Sequence, residues 1–333
     1  MTPNHKKARP ACGMNGFGRF GLHLLNAYLS DNEAENFKIC FINDEVIDVD
    51  RAHEIISKDI FVRIPEKFSV KKDGNYLVFD DKVRILFTKQ KATDVEWLGT
   101  PDIFLECSGE YRDKAQVAPF LTGNTKKVLI SATSYDVDQT LLFGFNHEDY
   151  DNNAEVISYG SCTVNAYVPF AQEVDRQFGV RSSSTNVIHN VPQYQIDSGK
   201  ATSLTRRFCT LQNMGPKLLP FINNNNFKVN YTLVPYAGVS IFDFAFQLNE
   251  QYTGSSFVLD LLSNSSNPFL SQLYSTVKED NGPAEHKLTR NSAVFVENSC
   301  STVGDTVHLF SYFDNENSVN RYMDLLQFIA SKI

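Results

Sequence analysis

Cysteine is scarce and scattered. Six thiols lie at 12, 40, 107, 162, 209 and 300, with no close pair among them. That spacing excludes a disulfide framework and a zinc pattern, so no metal is expected and a reducing cytoplasm is the natural home. Long apolar runs are also missing. No stretch of 18 apolar residues occurs, so no membrane span is expected. Positive charge is in deficit, with 31 Lys and Arg against 39 Asp and Glu. The balance argues against nucleic acid or an anionic membrane as the main partner, since either favours a basic face. The opening "MTPNHKKARP" has basic side chains but no apolar core, so it reads as a tail rather than a signal peptide. There is no internal repeat and no low-complexity linker.

What is present suits two domains, for which 333 residues suffice. In the first half, "FKICFI" (37–42), "VRILF" (83–87), "DIFLEC" (102–107), "KVLISA" (127–132) and "EVISY" (155–159) are short buried-strand runs. Helical patterns such as "FGLHLLNAYL" (20–29) and "RDKAQVAPFL" (112–121) lie between several of them. This rhythm predicts a Rossmann-type doubly wound parallel sheet. The first strand must be short and start after Pro10, because proline removes a ladder donor.

The second half carries longer, partly alternating runs: 230–235, 239–248, 292–298 and 306–313. These predict a second α+β domain with a mixed or antiparallel sheet, covered on one side by helices such as "FLSQLYSTVKED" (269–280). The closing 318–333 reads as an amphipathic helix. The expected division is 1–161 for the nucleotide domain, with the closing helix (315–333) packing back on it, and 162–314 for the catalytic domain.

Gly16, Gly18 and Gly21 stand in G-x-G-x-x-G spacing before a helix, as a pyrophosphate-binding turn requires. Asp44 follows the second strand, where a carboxylate accepts from a ribose 2′-hydroxyl and repels a 2′-phosphate, favouring NAD over NADP. A chance glycine turn and a solvated strand-end acid remain the plain alternatives. "SYGSCTVNAYVP" (158–169) places Cys162 between hydroxyls at the start of a helical run, where exposed amides favour a thiolate. Pro169 interrupts that run. His189, in a strand-like segment, is a candidate base. Taken alone, a core thiol and a structural histidine are the favoured readings.

Four segments resemble the glyceraldehyde-3-phosphate dehydrogenase family in the same order. "MNGFGRFG" is similar to its N-G-F-G-R-I-G opening, and "GSCTVNAYVP" to its A-S-C-T-T-N-x-x-A-P nucleophile signature. "FGFNHEDYD" resembles G-V-N-H-E-x-Y, and "SYFDNENSVNR" resembles W-Y-D-N-E. The resemblance implies NAD-dependent oxidation of a small-molecule aldehyde, with Cys162 forming a thiohemiacetal and then a thioester, and His189 as base. It implies that Arg19, Phe20, Asp44, Ser108, Gly109, Ser131 and Asn315 line the cofactor. It also implies a homo-oligomer, a tetramer or, given a slightly shortened 190–211, a dimer.

The departures from the family pattern concern phosphate. Leu233 stands at the family's arginine, Tyr236 at the threonine after the proline, and Pro192 at the threonine after the histidine. The S-T-G turn after "LQNMGP" is absent, leaving Ser161 and Thr163 beside the nucleophile. An arginine fork is a strong anion contact, so an altered aldehyde or acceptor is expected. Two alternatives stand beside it. Phosphate is held by Arg206 and Arg207, with Lys200 or Lys217 nearby, or the chain is an idle NAD-binding scaffold.

Overall fold

The computed structural model describes residues 9–31, 36–313 and 315–333, with the side chains of 315–317 left out. The chain forms two compact units: Met1–Leu141, Asn146–Gly160 and Tyr322–Ile333 in one, Leu142–Phe145 and Ser161–Arg321 in the other.

In the first unit, branched and aromatic runs become strands of a sheet whose members Ile103–Glu106, Lys127–Ile130 and Val156–Ser158 are buried on both faces. They are β1 (Ala11–Asn15), β2 (Lys38–Asn43), β3 (Val70–Asp73), β4 (Tyr76–Phe79), β5 (Val83–Thr88), β6 (Ile103–Glu106), β7 (Lys127–Ile130), β8 (Gln139–Thr140) and β9 (Val156–Ser158). Helices α1 (Arg19–Ser30), α2 (Val49–Lys58) and α3 (Lys114–Val117) connect them. The spatial order is β3-β4-β5-β2-β1-β6-β7-β9-β8. All neighbours from β5 to β8 pair in parallel; β3 and β4 form an antiparallel edge. This is the expected Rossmann-type sheet. β1 begins directly after Pro10, whose carbonyl accepts from the Lys38 amide at 2.9 Å. The chain passes from β1 to β2 on one side and reaches β6 on the other. The carboxyl ends at that switch point are where such sheets take ligands.

The second unit is a mixed sheet of β10 (Val180–His189), β11 (Thr205–Arg206), β12 (Phe227–Leu233), β13 (Ser240–Leu248), β14 (Tyr274–Val277), β15 (Ala293–Val296), β16 (Ser301–Val303) and β17 (Thr306–Phe313). Its helices are α4 (Cys162–Phe178), α5 (Gln193–Asp197), α6 (Leu211–Leu218), α7 (Phe257–Ser263) and α8 (Leu270–Leu273). β13 alternates strictly, burying Phe242, Phe244, Phe246 and Leu248. Tyr167 of α4 stacks on Phe244 and Phe246 with centroids 5.8 Å apart in each case. Each such buried ring is worth about 1.5–3 kcal/mol of transfer free energy, which fixes α4 on the sheet. The closing helix α9 (Asn315–Lys332) buries Tyr322, Leu325, Leu326 and Ile329, the stripe its spacing predicts.

One element differs from expectation. Residues 269–280 do not form a helix: α8 stops at Leu273 and the chain turns into β14, parallel to β15. The aromatic and β-branched run Tyr274–Val277 suits a strand. Tyr274 is also drawn in by α4. Its hydroxyl lies 3.3 Å from the Asn165 carbonyl and 3.1 Å from that of Ala166, and it accepts from the Phe170 amide at 3.1 Å. Those are the backbone groups disturbed by Pro169, which has no N–H to return to Asn165.

Candidate active site

The glycine loop bridges β1 and α1. Gly16 adopts φ +97°, and a Cβ there would collide with the Ser108 backbone, so only glycine fits. Its amide donates to the Asn43 carbonyl at 2.8 Å. Gly18 caps α1, is exposed, and has open space where a side chain would stand. Gly21, in the first turn, would press any Cβ against the Gly16 carbonyl. The first amides of α1 have no intrahelical acceptor, and no acidic residue occupies that turn. An open, anion-favouring helix start fits a pyrophosphate.

Asp44 is tied into this loop. One carboxylate oxygen accepts from the Phe17 amide at 2.8 Å; the other accepts from Val46 and Ile47 at 2.8 and 3.0 Å. A carboxylate has about four lone-pair positions, so the half-buried group keeps one for a ribose hydroxyl. Arg19 places its guanidinium 4.7 Å from the Phe61 ring centroid. Phe20 packs edge-on against Tyr159 and Tyr322, at 5.8 and 5.3 Å. Ser108 is exposed and Gly109 has φ +76° in the turn after β6; the Ser131 amide donates to the Glu106 carbonyl at 2.9 Å. The Asn315 side chain lies outside the described residues.

The carboxyl ends of the central strands carry a polar chain not foreseen from the sequence. The Asn15 amide donates to Glu106 at 2.8 Å, the Asn43 amide to Asn15 at 2.9 Å, and Thr88 to Asn43 at 2.9 Å. Trp97 completes it, donating its indole N–H to Thr88 at 3.0 Å. Glu106 is fully buried, and that burial pushes its carboxyl up to about 7 against the lowering effect of its hydrogen bonds. An acid inside the four-residue buried run "IFLE" was the available signal.

In the second unit, Cys162 opens the 17-residue helix α4, capped by Ser161, whose hydroxyl accepts from the Val164 amide at 3.4 Å. β10 ends on His189, and its Nε2 lies 3.6 Å from the Cys162 sulfur. His189 Nδ1 lies 2.8 Å from the Asn190 carbonyl. A carbonyl only accepts, so Nδ1 carries a proton and the ring turns Nε2 toward the Cys162 sulfur. Asn190 is itself fixed: its backbone amide donates to Ser240 at 3.0 Å and its side-chain amide to the Gly238 carbonyl. The imidazole packs against Tyr231 and Phe313 with centroids at 5.5 and 5.6 Å. Burial pushes the Tyr231 hydroxyl up, and the Cys162 sulfur adds to the rise. Tyr231 is therefore a neutral phenol beside the dyad.

Around the nucleophile stand neutral hydroxyls. Ser161 Oγ is 3.2 Å from Thr163 and 3.3 Å from Thr210, and Thr163 is 3.5 Å from the Cys209 sulfur. Thr210 and Cys209 were not singled out by any motif; they follow "TRRF" and become neighbours only through tertiary folding. Leu233 pairs with His189 across β10 and β12, and with Thr205 across β11 and β12. These three share one sheet face. Arg206 is abreast of Thr232 and thus on the opposite face, where it donates to Asn230 at 3.0 Å. Arg207 is exposed, its amide donating to the Tyr231 carbonyl at 3.2 Å. Lys200, Lys217 and Tyr236 are also exposed, and Pro192 caps α5. No helix among the described residues is long and apolar enough to cross a membrane.

Comparison with known proteins finds the following similarities. Residues 11–114 match the family model described as "Glyceraldehyde 3-phosphate dehydrogenase, NAD binding domain". The chain is 28% identical to glyceraldehyde-3-phosphate dehydrogenase 1 of Bacillus cereus, over 96% of this chain and 98% of that protein. It is 25% identical to the cytosolic glyceraldehyde-3-phosphate dehydrogenase of Pisum sativum, over 98% and 99%. A shorter match to the Mycolicibacterium smegmatis glyceraldehyde-3-phosphate dehydrogenase reaches 31%, over 61% and 62%. NAD is supported as the cofactor, and the chain classes as an NAD-dependent dehydrogenase.

Proposed function

We propose, for a chain these matches assign at family level to the glyceraldehyde-3-phosphate dehydrogenases, that Cys162 and His189 oxidise an aldehyde through an enzyme thioester. We further propose that the aldehyde or the final acceptor differs from the family's. The observation that carries the chemistry is the 3.6 Å approach of the Cys162 sulfur to His189 Nε2, with Nδ1 held by Asn190. His189 takes the thiol proton at Nε2, and the sulfur, facing the positive start of α4, adds to the aldehyde carbon. Nε2 hands that proton to the former carbonyl oxygen, giving a hemithioacetal hydroxyl, takes it back as the carbon loses hydride, and then releases it to solvent. When bound, NAD supplies the two-electron acceptor for that hydride. A nucleophile H–X then cleaves the thioester; its acyl group passes to X and its proton returns to the sulfur. With water as H–X the product is a carboxylic acid.

The altered acceptor rests on Leu233 beside His189, where the family pattern has an arginine, and on the neutral Ser161, Thr163 and Thr210 cluster. A leucine contributes none of the charge-assisted bonds, about 1.5–3 kcal/mol each, that hold a phosphate. The nucleotide role of the first unit, the chemical role of the second, a tetramer or dimer of identical chains, and a cytoplasmic setting belong to the same proposal.

The test incubates the protein with NAD and a panel of plain and phosphorylated aldehydes, with and without inorganic phosphate, and follows NADH. NADH formation independent of phosphate supports the proposal. Rapid reduction with glyceraldehyde 3-phosphate, strictly dependent on phosphate, overturns the altered acceptor. No NADH with any aldehyde, at retained NAD affinity, turns the reading to a binding scaffold.

A further inference from the structure

Glu106 ends β6 at the switch point of the first sheet, with no exposed surface. One of its oxygens accepts from the Asn15 side chain at 2.8 Å, at the end of β1 where the glycine loop begins. The other accepts from the Ser108 amide at 2.8 Å and from the Ser108 hydroxyl, and the Gly109 amide also reaches the carboxylate. The two loops meet directly as well, since Gly16 is packed on the Ser108 backbone. Asn15 in turn receives Asn43, whose carbonyl holds the Gly16 amide. A single carboxylate therefore connects the turn after β6 to the loop that starts α1.

We propose that Glu106 is a positioning residue for NAD: in its ionised form it ties the glycine loop to the 106–110 turn and holds the dinucleotide-binding conformation. The proposal rests on NAD being the cofactor and is independent of the aldehyde chemistry. Every described partner donates to the carboxylate; only the Ser108 hydroxyl, which also accepts from the Glu110 amide at 3.1 Å, has a lone pair left for a carboxyl proton. Protonation would remove the charge that strengthens these bonds and turn the Ser108 hydroxyl from donor to acceptor, loosening the ties. The titratable groups that face Glu106 are Cys107 and Tyr111 from its own turn and Tyr322 from α9. Burial pushes all three up, so each stays neutral near pH 7. The carboxyl itself stands near 7, so the binding form should empty within the physiological range.

The experiment titrates NAD into the full-length protein from about pH 5.5 to 9, by calorimetry in buffers of different ionisation heat. Affinity should fall below pH 7, approaching about tenfold per unit, with a proton released per NAD bound. Glu106→Gln, which presents an amide donor among donors, should bind about tenfold more weakly at pH 8, lose the slope and release no proton. Ser108→Ala removes one bond to the ionised form and should move the midpoint upward. His23→Gln, in α1, is the control for the other buried titratable group there and should keep the wild-type slope. A Glu106→Gln protein with wild-type affinity and slope overturns the proposal. If that variant fails to fold, an unmoved midpoint in Ser108→Ala overturns it.

Discussion

Tyr274 stands in for the backbone donor that Pro169 lacks. Its hydroxyl reaches the carbonyls of Asn165 and Ala166 and takes the amide of Phe170, so α4 runs through the proline from Cys162 to Phe178. Tyr274→Phe leaves these buried groups unsatisfied and should lower the free energy of unfolding by about 1–3 kcal/mol. Urea denaturation measures it. An unchanged midpoint would mean that other groups already satisfy the helix.

His189→Asn should cut NADH formation by about 10²–10⁴-fold, the usual contribution of a positioned base. The same variant should react more slowly with iodoacetamide at Cys162 at neutral pH. Equal alkylation rates would separate the imidazole from the sulfur and remove the dyad from the mechanism. Cys162→Ser should be inactive with NAD affinity retained.

Arg206 and Arg207 should behave differently. Arg206 lies across the sheet from His189 and contacts Asn230, so Arg206→Ala should leave KM for any active aldehyde unchanged. As an exposed contact its stability effect should not exceed about 1 kcal/mol. A raised KM confined to phosphorylated aldehydes in Arg206→Ala would contradict that placement.

Gly16→Ala puts a side chain both at a positive φ and into the Ser108 backbone. A non-glycine residue held so costs about 1–3 kcal/mol. The protein should lose NAD affinity more than it loses thermal stability, because relief requires the 106–110 turn to move. Calorimetric binding compared with a melting curve distinguishes the two.

The first unit was legible because its signals are local. Apolar runs punctuated by turns gave its strands, and Gly16, Gly18 and Asp44 fall in one loop cluster. Cys162 and His189 needed the family resemblance, since nothing in a strand-borne histidine says which way it points; the Asn190 carbonyl decides that. The stretch 269–280 misled because Leu270, Leu273 and Val277 keep a helical spacing while Tyr274 is claimed by a gap in another helix. The side of the sheet on which Arg206 lies is a matter of strand register, which single-sequence patterning does not fix. Glu106 escaped because a buried acid is identified by its donors, and these come from residues as distant as Asn15.

The double attachment of Asp44 also limits how the protein could change coenzyme. An acid at that strand end is the natural place to alter in a search for NADP use, by exchange for a smaller neutral side chain. Here the same carboxylate braces the Phe17 amide and the turn at Val46 and Ile47. Switching coenzyme would therefore demand a second, compensating substitution to rebuild that brace, and variants altered at 44 alone should handle both dinucleotides poorly.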